Sequence, residues 1–67
     1  MKENIVAVKR IILTLRREVG NVLELDEIIR LSFDEDIAKK DVMTAIKSLE
    51  SDGMIKFLDP STIEITG

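Results

Sequence analysis

From Glu3 to Val19 the apolar positions Ile5, Val8, Ile12, Leu15 and Val19 recur at spacings of three, four, three and four. Such a stripe belongs to one side of an amphipathic α-helix and predicts a first helix over residues 3–19. Gly20-Asn21 offers residue types that tolerate a left-handed cap, and Arg16 and Arg17 fall in the last turn, where cations complement the helix dipole. Val22 to Leu25 is a short β-prone stretch. Asp26 is the expected N-cap of a brief second helix that turns Ile28, Ile29 and Leu31 inward.

The polar run Phe33-Asp34-Glu35-Asp36 predicts the turn of a helix-turn-helix. With Ala38 as the next N-cap, Ile37 precedes the cap and Val42 is the fourth helical residue, the two positions of a hydrophobic staple. Ala38 lacks a side-chain acceptor, so a start at Asp36 is the alternative. Val42, Ala45, Ile46 and Leu49 form the inward stripe of this third helix, which Ser51-Asp52-Gly53 ends with a residue suited to positive φ.

After Gly53 the period changes to two. Ile55 and Phe57 alternate with Met54, Lys56 and Leu58; beyond Asp59-Pro60-Ser61, Ile63 and Ile65 alternate with Thr62, Glu64 and Thr66. A hairpin with one apolar side needs cover, and the helices are the cover at hand. The expected fold class is therefore α+β, a winged helix: one domain over residues 1–67, with a three-helix helix-turn-helix core and a C-terminal β-hairpin.

Composition narrows the chemistry. The 67 residues are 45% hydrophobic with two aromatics, Phe33 and Phe57, so the core is expected to be aliphatic. Cysteine and histidine are both absent, which removes any dependence on an oxidising compartment, the commonest metal ligand and the usual neutral-pH acid or base. No nucleophile has a histidine or cysteine partner, and no spacing matches a metal or phosphate motif. Neither an enzyme nor a cofactor is expected. Charges interrupt every apolar stretch, which excludes a membrane span and argues against a signal peptide; with no cysteine to oxidise, the expected setting is intracellular and reducing, nuclear or cytoplasmic.

Net charge is −3, a poor electrostatic match to nucleic acid. The distribution is uneven: residues 1–20 hold five basic and two acidic groups, and residues 21–38 hold one basic and six acidic. Asp34-Glu35-Asp36 reads as a solvated turn that favours the start of the third helix, since a calcium loop needs a longer ligand ladder with a central glycine.

The third helix carries the candidate nucleic-acid contacts. Lys40, Thr44, Lys47 and Ser51 share its outward ridge, with Lys39, Met43 and Ser48 beside them. Lysines contact phosphate, and Thr or Ser reaches bases, but the helix has no Arg, Asn or Gln for bidentate base reading. DNA binding through Lys39, Lys40, Thr44, Lys47 and Ser51 would be weak and sequence-independent; the same lysines also serve simply to keep an exposed helix solvated. The turn Asp59-Pro60-Ser61 is acidic where a minor-groove wing carries cations. Val6 and Leu13 lie off the first helix's stripe, and Met54 and Leu58 lie on the hairpin's second side. They either broaden the core, as a small domain needs, or form a patch for a partner protein.

The run Asp36-Ile37-Ala38 leading into Lys40-Asp41-Val42, then Ala45, Leu49, Gly53 and Thr62-Ile63-Glu64-Ile65, resembles the C-terminal winged-helix domain of MCM replicative helicases. The likeness is greatest to the fourth eukaryotic subunit and covers roughly residues 5–66. Archaeal transcription regulators and ESCRT-II subunits share the same apolar framework. The ATPase motifs of the MCM family lie outside this chain, so the resemblance transfers no catalytic residue. It implies a regulatory appendage, a piece of a longer protein, that contacts a replication factor, its parent helicase core or DNA. The expected state is a monomer, and a stand-alone DNA-binding transcription regulator is the alternative.

Overall fold

The computed structural model describes residues 2–67 and contains α1 (Lys2–Val19), β1 (Val22–Glu24), α2 (Leu25–Asp34), α3 (Lys39–Ser51), β2 (Ile55–Asp59) and β3 (Thr62–Ile65). It is a small α+β domain in which three helices cover one side of a three-stranded antiparallel sheet of order β1-β3-β2. The register sets Leu23 against Ile63, Ile63 against Phe57, and Ile65 against Ile55. Directly opposed residues share a sheet face, so these five aliphatic and aromatic side chains form the floor on which the helices pack. Leu23, Ile55 and Ile63 are buried, with Phe57 and Ile65 half-buried at the margin.

Helix α3 fills the centre. Val42, Ala45, Ile46 and Leu49 are all buried, the stripe its periodicity predicts. The helix begins after an extended Ala38, not at Asp36, and its N-terminus is held by packing: Ile37 and Val42, the staple positions, are both buried. Its C-terminus uses Gly53 at φ +78°. In α1 the buried set is Val8, Ile11, Ile12 and Leu15. Ile11 joins the stripe because α1 packs on both α2 and α3, which widens its apolar side beyond a single row.

Four local expectations are corrected. Val19 is 65% exposed, because it lies in the last turn before Gly20, past the end of the core. Asp26 is not the N-cap of α2: Glu24 is, without a side-chain bond, and the Leu25 N–H donates instead to the Ser61 carbonyl at 2.8 Å. That bond from the first residue of α2 to the hairpin turn satisfies the first free donor of the helix, and β1 runs directly into α2. The run Phe33-Asp34-Glu35-Asp36 is not all turn, since α2 continues through Asp34 and only Glu35 and Asp36 reverse the chain. Finally, Val6, Leu13 and Leu58 do not broaden the core; they are 56%, 42% and 49% exposed. Leu58 is the extra residue of a β-bulge between Phe57 and Asp59, which leaves it unpaired and turned out of the sheet's alternation.

Candidate interaction surfaces

The outward ridge of α3 is real as geometry. Lys39, Lys40, Thr44, Lys47 and Ser51 are exposed, and the first four line one shallow depression with half-buried Met43 at its base. Ser51, in the last turn, stands outside that depression. Among the described residues the ion pairs are Glu27–Arg30 and Lys56–Glu64, so none of these lysines is engaged by a carboxylate. Thr44 is compromised as a reader of bases. Its hydroxyl donates to the Lys40 carbonyl at 2.9 Å, the back-bond typical of a threonine inside a helix, which leaves only lone pairs for a ligand.

At the hairpin tip, Asp59 Oδ1 accepts the Ser61 N–H at 2.8 Å and the Ser61 hydroxyl at 3.1 Å, an Asx turn that pins the carboxylate. The Ser61 backbone N–H, and next the Thr62 hydroxyl, hold this carboxyl below its ordinary value. The tip is therefore firmly anionic at neutral pH and repels phosphate.

The four residues read as a protein-contact patch do not converge. Val6 and Leu13 lie together on the outer side of α1, in a groove they line with Lys9, Arg10, Thr14 and Arg17. Leu58 stands apart on the hairpin bulge. Met54 is half-buried against the core, and its backbone joins α3 to the sheet: its N–H donates to Leu49, and its carbonyl accepts from Thr66 at 2.9 Å.

Two exposed apolar features escaped the sequence reading. Phe33, one of the two aromatics, is 73% exposed on the last turn of α2. Its setting in an acidic run, at the last turn of the helix, was the available signal. Val19 and Val22, both exposed, border a hollow with Glu18, Glu24 and Glu27 between α1, β1 and α2. Among the described residues no group of three or more acidic side chains stands close enough to hold a metal ion, and no helix is long and apolar enough to cross a membrane.

Comparisons of the chain with protein-family models, with curated proteins and with solved structures give no match.

Proposed function

We propose that this chain is a non-catalytic winged-helix interaction module that works mainly through protein contacts, with at most weak, sequence-independent contact to DNA. The four-residue connection, 35–38, between α2 and α3 and the hairpin after α3 support the winged-helix reading. The setting we propose, regulation within the DNA replication machinery, rests on the sequence resemblance to the MCM C-terminal domain. The observation that carries the choice of protein over DNA is the exposure of both Val6 and Leu13, two turns apart on one side of α1. A domain this small needs nearly all its large aliphatic side chains for its core, and these two are left in solvent, in one groove.

On the DNA side the chain offers three lysines on α3, a back-bonded Thr44 and an anionic hairpin tip. An amide chemical-shift titration with a short duplex, at low and at physiological salt, tests the reading. The expected result is small, salt-sensitive shifts on residues 39–51, with log K falling against log salt no more steeply than about −2.7, the slope for three phosphate contacts. Sequence-dependent affinity that survives physiological salt would overturn the reading in favour of a transcription regulator.

A further inference from the structure

We infer that the outer side of α1 is a docking site for an acidic amphipathic helix of a partner protein, an inference that deepens the protein-contact reading above and rests on it. The case begins with spacing. Val6 and Leu13 are seven residues apart, Lys9 and Arg16 are seven apart, and Arg10 and Arg17 are seven apart. Seven residues come within about 20° of two full helical turns. The exposed side of α1 therefore repeats itself: an aliphatic crest, one cationic row along one flank and a second along the other. From Asn4 to Arg17 there is no acidic residue at all. Among the described residues no carboxylate pairs with any of the four cations; Arg16 Nε donates to Asn21 Oδ1 at 2.9 Å, which fixes that side chain at the helix end.

Charge complementarity names the occupant. A crest with cations on both flanks matches a helix whose own aliphatic row is bordered by glutamates, the arrangement by which flanking charges select partners in helix pairs. The groove is walled by side chains of a single helix and offers no strand edge, so a partner must satisfy its own main chain, which a helix does. From Val6 to Arg17 the face is roughly 17 Å long, three helical turns, which seats about one and a half heptads of a partner helix. Nucleic acid fits less well, because the points of closest approach are aliphatic and would strip water from a phosphate without returning a hydrogen bond. A lipid surface fits less well too, since two aliphatic side chains give little area to bury and the broad apolar stripe of α1 is spent in the core. On one flank, Arg10 and Thr14 adjoin a hollow that also contains Asp34 and Glu35, which sets the boundary of the cationic area.

The test uses the isotopically labelled chain and a synthetic peptide of three heptads, leucine at the first and fourth positions and glutamate beside them. Like charge at neutral pH keeps that peptide from pairing with itself. Shifts confined to residues 6–17 and their neighbours are expected, with affinity reduced about tenfold by Leu13→Ser. The triple variant Lys9→Glu, Arg10→Glu, Arg17→Glu is expected to lose the acidic peptide and to gain binding to a lysine version of it, a swap that a merely structural role would not produce. Lys9→Gln with Arg17→Gln serves where the triple variant unfolds, and is expected to weaken binding of the acidic peptide. Absence of shifts on α1, no effect of Leu13→Ser, or occupation of α1 by duplex DNA or phosphatidylserine vesicles in place of the peptide would overturn the inference. Failure with the peptide alongside weak, non-discriminating DNA shifts on α3 removes only this partner. Sequence-specific DNA affinity removes the interaction-module reading as well.

Discussion

The backbone N–H of Ile37 donates to the Ser32 carbonyl at 2.9 Å, arching over Asp36, which sits at φ +64°. Together with the Asp36 N–H bond to the Phe33 carbonyl, this is a Schellman closure of α2. The same closure ends α3, where Met54 donates to Leu49 and Gly53 to Glu50. At the left-handed position α3 has glycine and α2 has aspartate, so one of two equivalent turns is strained and the other is not.

Replacing Asp36 with glycine removes that strain. The expected gain is about 0.5–1 kcal/mol after the extra backbone entropy of glycine is counted, or a rise of several degrees in Tm for a domain of this size. Asp36→Asn keeps the tolerance for this backbone and drops the charge, so it separates conformation from electrostatics, and Asp36→Ala should be the least stable of the three variants. Thermal unfolding of the set checks the order; alanine equalling glycine would mean that the turn carries no strain.

Gly53 supplies the converse case. A Cβ there would meet open space, so Gly53→Ala is opposed by backbone conformation alone. Urea unfolding should show a loss of about 1 kcal/mol, and an unchanged midpoint would contradict the left-handed assignment.

Ser32 is fully buried with no hydrogen-bond partner for its hydroxyl. Alanine at this position removes an unsatisfied polar group and raises helix propensity, so Ser32→Ala should stabilise by about 1 kcal/mol. A measured loss of stability would show that the hydroxyl is paired in solution.

The lowered pKa of Asp59 has a defined sign. A folded-state value below the unfolded one contributes stability at neutral pH that is lost as pH falls from about 3.9, the unfolded aspartate value, through the lower folded value. Carboxyl-carbon NMR of Asp59 should give a midpoint below that of a model aspartate. In the Asp59→Ala variant the acid limb of the stability curve should be shallower, and an unshifted Asp59 carbon would remove the expectation.

Elements with one unambiguous period were legible in the chain. Helix α3 and the hairpin have clean repeats of 3.6 and two, and the apolar residues of each repeat are the ones turned into the core. Helix α1 was legible in extent but not in width: a single-row template misses Ile11, which is needed because two other helices pack on it, and includes Val19, where the row outruns the core. The start of α2 was hidden because its first N–H is satisfied by the Ser61 carbonyl, some 36 residues later, a partner that local pattern cannot see. Asp36 was hidden for the opposite reason, since the usual mark of a left-handed cap is glycine. At the candidate surface, the α3 ridge was fully visible as a helical row. The heptad face of α1 was present in the same letters, but it became a surface only once Val6 and Leu13 proved not to be core.

The central strand of the sheet, β3, is the last one to be synthesised, and β1 and β2 touch each other only through it. On the ribosome the growing chain can form its helices early, yet Leu23 and Ile55 have no floor to complete until Thr62–Ile65 emerges. Closure of the sheet thus waits on β3, and until then open strand edges are left for chaperones to shield.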